Sequence, residues 1–402
     1  MKFLILGAGP AGLTFANALL DKGITDFVVL EKEKTAGGLC RSEMVDESPL
    51  DIGGGHFLDV RRPKVNEFLF RFMPEDEWDL YDRDSRIVVG NNIISHPFEA
   101  NIWQMDEASQ KGYLSSIAAA GCNTGKPMPE KFVDWITWKL GDKIAEDYML
   151  PYNGKMFGEN LNTLGTYWLE KLPNVSYEDT RQACLHKKPY GTQPGHAQFY
   201  YPKKYGYGEL WLRMAETLKG HIEYEKTASC IDFDQYIVKT EDGSEYKADV
   251  IITSIPWTAF TEIIGMPDVL KGSINGLKHS SVQIAYYPES VDTKAQWLYY
   301  PDPELSYHRI LVRHNFCSGS RGYWTETNAD RIELQEDTPM YAYLNEYAYP
   351  LNTIDKPKIM KKILKFAEEN KVYGLGRWGE HQHYNSDLTV ELALRLANQL
   401  CH

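Results

Sequence analysis

Short, wholly apolar runs alternate along this chain with amphipathic stretches of helical period. Residues 3–6 form an apolar run that enters a glycine cluster, Gly7, Gly9 and Gly12. Residues 13–20 read as a buried helix, and residues 27–30 are a second apolar run closed by Glu31. Such runs, bounded by glycine and rich in branched side chains, predict buried strands of a parallel sheet. Residues 106–169 are helical in character. Within them 132–140 carries apolar residues at helical spacing with Gly141 as its stop, and 144–150 starts a helix that Pro151 is expected to end. A helix is predicted over 210–219 and strands at 222–224 and 236–240, with a turn at 241–244. Residues 248–256 read as a buried parallel-type strand ended by Pro256. Residues 280–350 alternate and are rich in Tyr and Val, which predicts an antiparallel sheet, and 387–400 returns to an amphipathic helix.

This order predicts an α/β fold with a Rossmann-like, discontinuous dinucleotide-binding domain drawn from 1–70, 200–275 and 370–402. A helical insert over 100–170 and an antiparallel substrate lobe from 71–99, 171–199 and 276–369 complete the expected architecture. At the N-terminal turn each glycine has a task. Gly7 permits the tight strand-to-helix turn, Gly9 lets backbone approach a pyrophosphate, and Gly12 lets helix pack on strand. Pro10 and Ala11 open the helix, whose N-terminus presents N–H groups to phosphates. Glu31 stands where a carboxylate accepts hydrogen bonds from an adenosine ribose.

Composition changes the picture in three ways. At 402 residues the chain exceeds one core, so more than one lobe is expected. A net charge of −13 argues against nucleic acid and anionic membrane surfaces, and requires local cations around any anionic ligand. Twenty-six Tyr and 10 Trp suit a ligand cleft lined with rings and hydroxyls. The six cysteines have no metal-ligand spacing, so no metal is expected, and they read as reduced thiols. With the first strand at residue 3 and no long apolar run, a cytoplasmic location is expected.

After Glu31 the chain reads Lys32-Glu33-Lys34-Thr35-Ala36-Gly37-Gly38-Leu39-Cys40-Arg41-Ser42, and later Asp51-Ile52-Gly53-Gly54-Gly55-His56. This pattern resembles the FAD domain of the flavoproteins that include amine oxidases, protoporphyrinogen oxidase and UDP-galactopyranose mutase. The resemblance implies FAD, held by Gly7, Gly9, Pro10, Ala11, Gly12, Glu31, Lys32, Gly38, Leu39 and Arg41, and further by Gly54, Gly55 and His56. Arg41 can instead be a solvated loop cation, and His56 either touches the flavin or caps a turn.

Five later stretches are similar to the mutase branch in particular. They are Trp138–Lys143 leading to Pro151–Gly158, then Tyr201–Trp211, Ser306–Ile310, Asp337–Tyr341, and Gly376–Asn385. They imply that backbone at Gly206 and Gly208 passes close to the flavin. They also imply that Arg377, Tyr384, Asn385 and Ser386 border the cofactor, and that Tyr152, Phe157, Arg309 and Tyr341 face a nucleoside-diphosphate sugar. In the family, reduced FAD acts through N5 on the anomeric carbon, and pyranose and furanose rings interconvert without net redox change. Arg309, with Lys171 or Arg313, would neutralise the departing diphosphate; His56, Tyr152 and Tyr341 complete the catalytic set. For Arg309 a cross-strand ion pair is the plainer reading, and for the two tyrosines a core position.

Two departures stand out. Where mutases carry R-L-P-x-R, this chain has Lys171-Leu172-Pro173-Asn174-Val175, so the second arginine is absent. Arg181, Lys187 and Lys188 are the candidates to compensate. His383 replaces an aromatic hydroxyl at the substrate edge. The sugar and nucleotide stay open, as does a homodimer. The rival readings are an FAD-dependent oxidase or desaturase, which needs no diphosphate-binding cations, and a flavin-binding protein without catalysis.

Overall fold

The computed structural model describes residues 1–169, 172, 174–191 and 197–401. Its centre is a five-stranded parallel sheet. Across it run Ile222–Glu223, Phe27–Leu30, Phe3–Leu6, Val250–Thr253 and Val372–Gly374, all parallel. The strands come from distant parts of the sequence: Phe3–Leu6, Phe27–Leu30 and Val250–Thr253 are short and almost wholly apolar, and a shared sheet buries them, while Ile222–Glu223 closes one edge and is more exposed. Alternation decides which core each side chain joins. Phe3 and Ile5 face the helices Pro10–Asp21 and Ser386–Leu400, whereas Leu4 and Leu6 face a second core with Trp257 and Ile363.

The second lobe is a seven-stranded sheet ordered Tyr341–Pro350, His279–Tyr287, Tyr323–Asn328, Arg309–Val312, Trp297–Tyr299, Ser85–Val89 and Asn92–Ser95. Antiparallel pairing runs through it as the alternation predicts, with one exception: Trp297–Tyr299 lies parallel to Ser85–Val89. That pairing recruits an N-terminal hairpin to the far edge of the lobe.

The helical region departs from expectation at Pro151. The chain stays helical from Asp142 to Phe157, passing through a wide turn at Ala145–Met149, and Pro151 sits in the first turn of Leu150–Phe157. There the missing N–H costs no hydrogen bond. Gly141 does end the preceding helix, at φ +78°. Tyr177–His186, expected within the substrate lobe, is a helix packed on the helical layer.

No described helix is long and apolar enough to cross a membrane. Among the described residues no His/Cys/Asp/Glu cluster could hold a metal. All six thiols are free.

Candidate active site

The glycine turn, the loop after Phe27–Leu30 and the start of Ser386–Leu400 enclose an elongated cavity of about 600 Å³ at the carboxyl ends of the parallel strands. That is the edge at which such sheets bind ligands, and the volume is of ligand size. Gly7 bends the chain at φ +97°. A Cβ on Gly12 would lie 2.0 Å from the Gly7 carbonyl oxygen, so only glycine brings helix and strand this close. A Cβ on Gly38, itself at φ +55°, would lie 3.1 Å from Gly9 Cα; the two loops are bare backbone where they meet. Gly9, Pro10, Ala11, Lys32, Gly38 and Leu39 line the cavity. The helix that begins at Pro10 has no capping side chain at Gly9, and its first residues line the cavity.

Glu31 is fixed by the glycine turn and by its own loop. Its carboxylate accepts from Ala8 N–H at 2.7 Å and Glu33 N–H at 3.0 Å, and burial raises its pKa above the ordinary carboxylate value. Arg41 is equally organised. It donates to Gly38 O (3.1 Å) and Tyr343 Oη (2.7 Å) and pairs with Glu33 at 3.2 Å, while lining the cavity wall. It is therefore not a solvated loop cation.

A second cavity of about 220 Å³ adjoins the first, and His56, Arg377 and Ser386 line both. His56 hydrogen-bonds the Gly53 backbone and its Nε2 is buried without a partner. Burial, then the cations Arg377 and Arg309, push its pKa down to about 3. His383 on the far wall is likewise pushed to about 3 by burial and by Arg377. Both rings are neutral near physiological pH. Arg377 donates only to carbonyls, from Nε and Nη2 to Tyr384 O and from Nη1 to Ala348 O. Among the described residues it has no carboxylate, so the junction of the cavities holds a cation without a counter-ion. Tyr384 borders the large cavity, Asn385 the small one, and the Ser386 hydroxyl is within 2.7 Å of that of Tyr207.

Arg309 enters the small cavity but is already engaged. Its Nη2 lies 2.5 Å from Glu326 and donates to Tyr349 Oη at 3.1 Å, while Nε is buried without a partner. Burial works against its charge, yet Glu326 holds its pKa well above normal. Arg309 and Glu326 are opposite in the strand register, so the cross-strand pair and the cavity position coexist.

Other expectations are redirected. Arg313 is fully buried and donates to the carbonyls of Val45, Ser48, Pro49 and Arg321 and to Tyr286 Oη; it holds the hairpin Ser42–Asp51 and lines neither cavity. Tyr341 donates to Glu43 at 2.7 Å, and Tyr152 packs among Tyr148, Tyr299 and His308; both lie outside the cavities. Phe157 packs against the main core, and its neighbour Met156 takes the cavity position instead. Gly206 and Gly208 do not reach the cavity wall: their Cβ positions would collide with Ser42, so they serve packing. Gly54 abuts Glu326 and Gly55 lines the small cavity. Lys171 lies outside the described residues. Val175 is a core residue, Arg181 pairs with Glu178 on an exposed helix face, and Lys187 and Lys188 are exposed. Glu326, Tyr349, Arg83 and Trp297 line the small cavity without having been anticipated.

A family model for an NAD(P)-binding Rossmann-like domain matches residues 5–72. Over its full length the chain is similar to a reduced UDP-galactopyranose mutase, with 21% identity, TM-score 0.90, and coverage of 99% of this chain and 93% of the other. It is also similar to a putrescine oxidase at 13% identity and TM-score 0.64, covering 99% and 98%. At the sequence level, 53 residues are 51% identical to an uncharacterized protein in the nifH2 3′ region of Methanothermococcus thermolithotrophicus. The match spans 13% of this chain and half of that relative's length. The overlay shows the fold: a Rossmann-like layer joined to an antiparallel lobe, as in the flavoprotein mutase.

Proposed function

We propose that the protein binds FAD in the large cavity and acts on a nucleoside-diphosphate sugar in the small one, interconverting its pyranose and furanose forms. One observation carries the reading: the cofactor-sized cavity adjoins, across His56, Arg377 and Ser386, a small cavity whose walls hold three guanidinium groups, Arg83, Arg309 and Arg377. An amine or alkene oxidation needs no such cations.

The residues present fit FAD. Bare backbone at Gly9 and Gly38 suits the diphosphate, the Glu31 carboxylate suits the ribose, and Arg377 supplies positive charge where a reduced, anionic ring would lie. When bound, reduced flavin supplies the nucleophile for the anomeric carbon. The chain does the rest. Neutral His56 offers its unpartnered Nε2 as a hydrogen-bonding group without adding charge. Arg309 receives the negative charge of the leaving diphosphate. Phe57, Phe199, Trp297 and Tyr349 exclude water around the sugar.

An oxidase remains the second reading, because Glu326 occupies one edge of Arg309 and a putrescine oxidase shares the fold. The test is incubation of the dithionite-reduced protein with UDP-galactofuranose and related nucleotide sugars, followed by chromatography. Ring isomerisation confined to the reduced protein is expected. Flavin reduction by an amine with no isomerisation of any sugar would support the oxidase instead.

A further inference from the structure

We propose that Arg83 is the second diphosphate-binding arginine of this chain, standing in for the one absent at Val175. This rests on the nucleotide-sugar reading of the small cavity.

The charges around that cavity lead to Arg83. Three carboxylates line it, and each has a cation: Glu326 has Arg309 at 2.5 Å, Asp59 has Arg61 at 2.5 Å, and Asp387 has Arg62 at 3.3 Å. Two further arginines line the wall, and no carboxylate is within ion-pair distance of either among the described residues. Arg377 belongs to the junction with the large cavity. Arg83 belongs to the small cavity alone.

Arg83 is held rather than loose. Its Nε donates to Ser85 Oγ and its Nη2 to Tyr299 Oη, each at 2.8 Å, and the guanidinium stacks on Trp297 at 4.4 Å from the ring centroid. Both hydrogen bonds go to hydroxyls, and among the described residues Nη1 has no partner. A planar cation fixed on one edge and open on the other is suited to phosphate oxygens.

The sheet brings it near Arg309. Ser85 pairs with Trp297, and Tyr299 pairs with Arg309. The strand that Arg83 precedes is thus two strand spacings, about 10 Å, from that of Arg309, and Arg83 lies four residues, about 13 Å, along it from the row of Arg309. The side chain of Arg83 reaches back toward that row, to the Tyr299 hydroxyl, and both guanidinium groups line the small cavity. Arg181, Lys187 and Lys188 line neither cavity: Arg181 is paired with Glu178, and the two lysines are exposed.

The experiment is a titration of the FAD-loaded protein with UDP, GDP, ADP and dTDP, and with the matching monophosphates. Wild type is compared with Arg83→Ala and Arg83→Lys. We expect Arg83→Ala to weaken the preferred diphosphate by about 10- to 100-fold, the range of a lost charge-assisted hydrogen bond. The monophosphate should weaken less, Arg83→Lys should recover part of the loss, and FAD content should be unchanged. Equal weakening of both nucleotides, or no weakening, would overturn the role of Arg83 and leave the parent reading standing. A wild-type protein that holds FAD and binds none of the four diphosphates would overturn the parent reading itself. Should Arg83→Ala fail to fold, Arg83→Gln, which removes the charge and keeps a hydrogen-bonding side chain, carries the same test.

Discussion

Arg309 combines a buried ion pair with a place on the cavity wall. Glu326 is only 1% exposed, so removing its partner leaves a buried, uncompensated carboxylate. Arg309→Ala should therefore destabilise the fold by about 3–5 kcal/mol, read by urea unfolding. Glu326→Gln in the same background should restore much of that loss; no recovery would show that the pair is not the cause. The histidines set a pH dependence of definite sign. An unfolded histidine takes a proton near pH 6.5, while folded His56 and His383 resist it down to about 3. The unfolded state then binds more protons, so stability is complete above about pH 6.5 and falls as pH drops toward 3. His383→Gln should make that acid decline shallower by up to about 1.4 kcal/mol per pH unit; an identical slope would contradict a neutral buried ring. At this scale the sequence was uneven as a guide. Glu31 and Arg41 were legible because a local motif positions both. Arg83 was not, since the groups that fix it, Trp297 and Tyr299, come from a distant strand. Arg313 misled because its partners are carbonyls of a hairpin far away in sequence.

Among the elements, the glycine turn was the most readable because its constraints are steric and local. Gly12→Ala drives a Cβ to 2.0 Å from a carbonyl oxygen and should cost at least about 1–3 kcal/mol, with loss of bound FAD on gel filtration. A stable variant retaining its cofactor would show that the helix can shift. The loop before Ser386–Leu400 depends on a more distant support. Lys356 is fully buried in the first turn of Lys356–Glu369. Its Nζ donates to His381 O at 2.9 Å, Gln382 Oε1 at 3.0 Å and Asn352 Oδ1 at 2.5 Å. Those bonds set the approach to His383, Tyr384 and Asn385. Lys356→Met should lower FAD retention several-fold while far-UV circular dichroism stays unchanged. Full retention would mean the loop is held by Arg377 alone. Pro151 was misjudged because a helix-breaking residue was weighed without the wide turn that places it at a new helix start.

For the molecule as a whole, strand alternation and run length were enough to anticipate a parallel layer joined to an antiparallel lobe. What they could not supply was the pairing of Trp297–Tyr299 with Ser85–Val89, which builds the cation-bearing wall of the small cavity from segments more than 200 residues apart. Pairing at that separation is decided by tertiary packing and leaves no periodic trace. The same fold serves a mutase and an oxidase, so architecture alone does not choose between them. The direction of electron flow does. Anaerobic addition of the preferred nucleotide sugar to the FAD-loaded protein, with visible absorbance and sugar products followed together, is the most direct test. The account predicts that the oxidised flavin band is untouched by substrate, and that the pre-reduced protein isomerises the sugar over many turnovers while staying bleached. Bleaching of the oxidised protein in proportion to substrate consumed would contradict it.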